Sequence, residues 1–355
     1  MTGTRAGTGA ADLSRPIANG ATPLSNDDLR IRFPEKDFDG YWLVGGIRGD
    51  ERFQAMFLGF GLGVNDGYDW GFREVIPDTN FSLYVIRLIT ADDAVTYVEQ
   101  PINRHQFEYD RTKLDVRLED RVRITAEWPH VSYYMASPDK SVVVQFQGEM
   151  SISHWSRDMA MRGTSWTTVA MPDLEYEGTI SLDGDERPFS GIATLDHPSG
   201  RLFKSPTSPG AGYWEYNAFM LNDAFGLYQL KMVDGNGELM SSEAITNFPD
   251  GKKHVGEMEL EYTQFEDRGT IGVPRQWRCV VRADHGTLEY TVTAVGQDAN
   301  GTPHVPGDPF PNFLLLVEGE FTGNDGKVMA ITGKGSGETV ISGWDPQKNE
   351  RRDPW

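Results

Sequence analysis

Apolar residues recur at every second position along most of this chain, and that period constrains the fold more than any other feature. Leu114, Val116 and Leu118 alternate with Asp115, Arg117 and Glu119, and Met258, Leu260 and Tyr262 alternate with Glu257, Glu259 and Glu261. A period of two sets one face of a strand on a core and the other in water, the pattern of half-buried antiparallel sheets. Compact turn signals separate these segments: Ser137-Pro138-Asp139-Lys140, Asp234-Gly235-Asn236-Gly237 and Asn324-Asp325-Gly326-Lys327 read as hairpins. Further strands are expected over 141–153, 224–233, 278–282, 288–294, 313–321 and 327–333. No long stretch carries apolar residues at helical spacings, so helices should be few and short. The class is all-β, built from meanders.

Long antiparallel meanders avoid exposed edges by closing into barrels or stacking as sandwiches. The strands are too many for one small barrel, and Met171-Pro172-Asp173 interrupts the pattern near the middle of the 355 residues. The expected organisation is a floppy tail over 1–20, rich in Gly, Ala and Thr, one β-domain over 21–172 and a second over 173–355, packed side by side as barrels or sandwiches. No literal sequence repeat links the halves.

Charge narrows the partners. With 33 basic against 53 acidic side chains the net charge is −20, which repels a phosphate backbone and disfavours an anionic membrane surface. The single cysteine, Cys279, excludes an internal disulfide and a thiolate metal cluster. The N-terminal stretch has neither the apolar core of a leader peptide nor a membrane-spanning run, so a cytoplasmic protein is expected.

Familiar cofactor signatures fail. Gly59, Gly61 and Gly63 resemble a dinucleotide loop, but the third glycine comes one residue early and no strand–turn–helix unit surrounds it. Gly335-Ser336-Gly337 lacks the five-residue spacing of a nucleophile elbow. Asp234, Asn236 and Glu238 suggest a calcium loop without its 12-residue frame, and a hairpin turn explains them better. No two of the histidines at 105, 130, 154, 197, 254, 285 and 304 form a local chelating pair. Only a metal assembled from distant strands stays open, and no cofactor or metal is expected.

Two segments concentrate acids among aromatic residues. One runs from Val64 to Gly71 and contains Asp66, Asp69 and Trp70; the other runs from Gly191 through Asp196 and His197 to Tyr213, Trp214, Glu215 and Tyr216. An acid against an apolar aromatic wall has its neutral form favoured by desolvation, which makes it a proton donor near neutral pH. The same residues also fit a plainer role, with Asp196 and His197 bracing the loop that follows them, Asp66 and Asp69 forming a tight turn, and the aromatics filling a core.

The stretch Gly191-x-Ala193-x-Leu195-Asp196-His197 with Gly200, then Tyr213-Trp214-Glu215-Tyr216-Asn217 through Asp223 and Phe225-Gly226-Leu227-Tyr228-Gln229-Leu230, resembles the signature region of the AttH/hydroxyneurosporene-synthase-like group of tandem lipocalin-like proteins. Val317-Glu318-Gly319-Glu320-Phe321 and Gly333-Lys334-Gly335-Ser336-Gly337-Glu338 resemble its closing strands. The likeness covers residues 150–340 well and the first half loosely. It departs where the group continues its acid–base pair with Trp-Gly, for here Pro198-Ser199-Gly200 intervenes.

This resemblance implies two lipocalin-like domains and a set of cofactor-free reactions: hydration of isoprenoid double bonds, dehydration of terpenoid alkenols, and guided cycloadditions. On that reading Asp196 and His197 would be the acid–base residues, with Asp66 or Asp69 across the cavity, and Trp70, Tyr213, Trp214, Glu215 and Tyr216 would line it. The expected partner is a small hydrophobic substrate, with no nucleic acid and no membrane insertion, and a homo-oligomer is left open. A cyclase or pericyclase of a flexible polyene, or a carrier without catalysis, are the alternatives.

Overall fold

The computed structural model describes residues 29–32, 38–50, 52–64, 80–90, 94–103, 107–127, 129–149, 155–161, 164–201, 211–268, 272–296, 312–341 and 344–351. Its regular elements are strands, as the period of two predicts. The 1–20 tail, Asp66, Asp69 and Trp70 lie outside the described residues.

The first sheet has 12 strands. One meander comprises β1 (Phe38–Arg48), β2 (Ala55–Val64), β3 (Asn80–Ile89) and β4 (Ala94–Asn103). A second comprises β5 (Phe107–Tyr109), β6 (Asp115–Leu118), β7 (Val122–Glu127), β8 (His130–Ala136) and β9 (Val142–Glu149). The long strands β11 (Thr164–Leu182) and β12 (Asp185–Arg201) join them, in the order β4-β3-β2-β1-β12-β11-β9-β8-β7-β6-β5, while β10 (Trp155–Met161) pairs with β11 off this path. The second sheet is a closed antiparallel barrel of β13 (Ala211–Leu221), β14 (Phe225–Asp234), β15 (Leu239–Thr246), β16 (His254–Asp267), β17 (Gly272–Ala283), β18 (Gly286–Val295), β19 (Leu314–Gly323) and β20 (Val328–Ile341). A short hairpin, β21 (Trp344–Asp345) and β22 (Glu350–Arg351), follows. These are the two all-β units that the strand pattern anticipates, one curled and open, one closed, and they have the lipocalin-like form that the resemblance implies.

The three turn signals all close hairpins, each by an aspartate that accepts backbone N–H groups. Asp139 Oδ1 takes Ser141 N–H at 3.0 Å, Asp234 Oδ1 takes Asn236 and Glu238 N–H at 2.8 and 2.9 Å, and Asp325 Oδ1 takes Lys327 N–H at 3.0 Å. Such Asx turns satisfy donors that no ladder reaches. Asp234, Asn236 and Glu238 therefore build the β14–β15 turn.

The Pro172 break is corrected in place and meaning. It falls inside β11, where the register with β12 slips between Met171 and Leu174, and the chain passes from sheet to barrel only between Arg201 and Ala211. Proline has no N–H for the ladder and is accommodated in strands at bulges. Above the bulge β11 pairs with β10, and below it with β9. The bulge also meets the barrel: a Cβ on Gly226 would lie 1.9 Å from the Pro172 carbonyl oxygen, so glycine is what lets β14 approach.

Each unit has its own apolar core. Tyr41, Leu43, Ile47, Leu58, Phe60 and Leu195 belong to the first, and Phe219, Trp277, Cys279, Val281, Tyr290 and Val317 to the second. Outer faces meet as well: Ala55 and Ile89 of the first sheet pack on Leu314 of β19. Sheet and barrel thus meet along a seam, and β1 and β12 run along it against β13, β14 and β20.

Candidate active site

Residues 191–200 are buried throughout, because β12 lies between β1 and β11 and is covered on both faces. Strand side chains alternate, so the neighbours Asp196 and His197 leave β12 in opposite directions. His197 enters the core of the first sheet. Its ring stacks on Tyr41 with 4.2 Å between centroids, and its Nε2 lies 2.7 Å from Asp39 Oδ1. The other Asp39 oxygen accepts the backbone N–H of Arg32. The His–Asp pair is almost wholly buried, at 1 % and 0 % exposure, and it latches residues 29–32 to β1 and β12. The adjacent acid and imidazole of the sequence are therefore split by the strand, and His197 does not share the surroundings of Asp196. The strand runs on through Pro198 to Arg201; the ladder to β1 is interrupted between Asp39↔Ser199 and Trp42↔Asp196, at the proline, and resumes without slipping.

Asp196 faces the barrel. Its Oδ1 is shielded from solvent and has no hydrogen-bond partner, and the same holds for the Tyr216 hydroxyl. Burial, reinforced by the charge of Glu338, holds the Asp196 carboxyl well above the usual carboxylate range. Burial and the charge of Asp196 in turn push the Tyr216 and Tyr228 phenols up. The two phenol rings lie 5.4 Å apart. Closure of the barrel places Glu338 of β20 directly across from Tyr216 of β13. Its Oε1 accepts the Trp214 indole N–H at 3.2 Å; burial raises the Glu338 carboxyl, with Arg87 and that indole pulling the other way.

On the sheet side, Trp42 stands directly across from Asp196. Its ring lies 5.8 Å from that of Phe57, over which the Arg87 guanidinium sits at 5.3 Å. A carboxyl whose neutral form burial favours, a phenol and aromatic faces are thus gathered on one seam, which suits proton donation to an apolar substrate and stabilisation of positive charge.

Of the expected lining residues, Trp214 and Tyr216 join Asp196, whereas Tyr213 and Glu215 point into the barrel. There Glu215 accepts hydrogen bonds from Tyr213 at 2.7 Å, Tyr262 at 2.6 Å and Asn217 at 2.8 Å. Burial pushes its carboxyl up to about 8, with Asn217 and Lys231 opposing. Glu338, Tyr228, Arg87 and Trp42 complete the seam without having been read as site residues. Glu338 stood in the sequence only as part of a closing strand, and no local spacing says that β20 closes on β13.

Among the described residues, the His/Asp group with metal-ligand spacing is His254, Asp284 and His285, at one end of the barrel and not at the seam. It joins two histidines from separate turns, the distant-strand assembly that the sequence left open.

No protein-family model and no curated protein matches the sequence. Solved structures do share its fold. A putative AttH from Nitrosomonas europaea superposes with a TM-score of 0.60 at 14 % identity, covering 91 % of this chain and 98 % of that one. Kievitone hydratase from Nectria haematococca gives a TM-score of 0.54 at 11 % identity, covering 92 % and 95 %. The sheet-plus-barrel architecture is therefore that of the AttH-like and hydratase folds which the 191–230 and 317–338 segments resemble.

Proposed function

We propose that this protein is a hydro-lyase that adds or removes water on an apolar alkenol of the isoprenoid class, with Asp196 as the proton donor. The observation that carries the reading is the Asp196 carboxyl itself, buried on the seam with an unpartnered oxygen and its neutral form favoured by desolvation and by Glu338. The fold shared with a protein named as a hydratase supports it.

In the dehydration direction, the Asp196 carboxyl gives its proton to the substrate hydroxyl and the C–O bond breaks to release water. The cation rests against Trp42, Trp214 and Tyr216, each such contact contributing about 0.5–2 kcal/mol when desolvated. The Asp196 carboxylate then takes a proton from the neighbouring carbon, the C–H electron pair forms the alkene, and the acid is restored. Hydration is the same path reversed. No step draws on a cofactor.

The test is incubation of purified protein with a panel of terpenoid alkenols and alkenes, read by gas chromatography. Water gained or lost by a substrate is expected, and Asp196→Asn should cut turnover by at least about 10² with the circular dichroism and melting temperature retained. Turnover that survives Asp196→Asn but is lost on filling the seam, as in Tyr216→Trp, points to a pericyclase. Binding without turnover points to a carrier. Either result removes the hydro-lyase reading.

A further inference from the structure

The cluster at the barrel end takes no part in the seam chemistry. Two turns meet there, β15–β16 and β17–β18, beside a plug of Phe225, Phe248 and Phe321 whose rings meet edge to face at 5.1 and 5.7 Å. His254 opens β16, Asp284 and His285 form the turn after β17, and one donor atom from each lies within 4.8 Å of the others. His254 Nδ1 is 2.8 Å from Asp284 Oδ1, and His285 Nδ1 is 3.6 Å from that oxygen. A tetrahedral zinc ion with bonds of about 2.0–2.2 Å to nitrogen and oxygen sets its ligand atoms about 3.3 Å apart. The two separations bracket that spacing.

The remaining ring nitrogens are held as those of metal ligands are. His285 Nε2 donates to the Phe248 carbonyl at 3.0 Å, which fixes the proton there and turns the Nδ1 lone pair toward Asp284. That Nδ1 is shielded from solvent and has no hydrogen-bond partner. A lone pair directed at a carboxylate oxygen is repulsive, and a cation between the two makes it favourable. His254 Nε2 lies 3.0 Å from Asp250 Oδ1, the carboxylate–histidine arrangement that orients imidazoles on zinc. A third turn adds support, where the Asn324 amide donates to the Asp284 carbonyl at 2.7 Å.

We propose that His254 Nδ1, Asp284 and His285 Nδ1 bind a divalent ion of the zinc class, which clamps the β15–β16 and β17–β18 turns and closes this end of the barrel. Two imidazoles and one carboxylate favour zinc, cobalt or nickel over calcium or magnesium. Asp284 is 66 % exposed, so the ion has a path from solvent and a place for a water ligand.

The experiment is titration of the chelator-stripped full chain with Zn²⁺ and with Co²⁺. One equivalent of Zn²⁺ should bind and raise the melting temperature, and Co²⁺ should show the visible bands of a tetrahedral nitrogen–oxygen site. His285→Ala should abolish binding, and Asp250→Asn should weaken it by about 10- to 100-fold. Asp250 sits half-exposed in its turn, so this second variant decides the matter if His285→Ala fails to fold. Failure of the wild-type chain to bind one equivalent, a melting temperature indifferent to Zn²⁺, or unchanged affinity in Asp250→Asn overturns the assignment.

Discussion

The ring of Trp42 occupies the space that a side chain at Gly59 would need: a Cβ there would lie 2.0 and 2.1 Å from Trp42 Cε3 and Cζ3. The two residues are cross-strand neighbours in β1 and β2, and Trp42 in turn neighbours Asp196. The glycine thus permits an aromatic face on the seam. Gly59→Ala should cost about 1–3 kcal/mol by overpacking and lower turnover by displacing the indole. Denaturation in a Trp42→Ala background checks the cause, since the alanine should then cost little; an equal cost in both backgrounds would show that the indole is not what it strikes.

Burial is the larger cause that raises the Asp196 carboxyl, and like-charge repulsion from Glu338 adds to it. If the protonated acid is the working form, turnover falls as pH rises through its pKa. Glu338→Gln removes the repulsion and lowers that pKa, so the alkaline limb of the pH–rate profile should move to lower pH. A limb that stays where it was in this variant would mean that Asp196 does not carry the profile.

His197 and Asp39 make the opposite kind of prediction. The pair sits in the first core, and removing one partner of a buried ionic or hydrogen-bonded pair strands the other, at a cost of about 3–5 kcal/mol. Asp39→Ala and His197→Ala should therefore lower the urea midpoint sharply. Turnover per folded molecule should hold within a few fold, because neither side chain reaches the seam. Loss of turnover with an unchanged midpoint would return His197 to the chemistry.

These contrasts show what the sequence could and could not convey. Alternation gave the strand faces, so Glu257, Glu259 and Glu261 are exposed as their period requires, and the hairpin turns follow from their own aspartates. Asp196 was legible because an acid stood among aromatic residues. The same alternation, applied to positions 196 and 197, already separates the acid from the imidazole, yet adjacency and resemblance made them look like a pair. Pro172 read as a boundary because a missing donor looks alike at a bulge and at a linker. Trp42, Tyr228 and Glu338 were illegible for another reason: their meeting depends on which strand closes the barrel and which face of the sheet docks on it, and neither is a local property of the chain.

Glu215 supplies the last prediction, one about stability. Its carboxyl has a value near 4.5 in an unfolded chain and about 8 in the barrel. Between those limits the native state keeps a proton that the unfolded state has released, so stability falls as pH rises through this window and levels off above it. At about 1.4 kcal/mol per unit, the loss is of the order of 5 kcal/mol. Glu215→Gln keeps an oxygen for the phenols of Tyr213 and Tyr262 and removes the ionisation. Urea midpoints measured from pH 5 to 9 should decline in the wild type more steeply than in the variant, and the two curves should diverge most at the alkaline end. Parallel curves would mean that Glu215 ionises in the barrel as easily as in water, and that the hydrogen bonds from its three donors offset the desolvation in full.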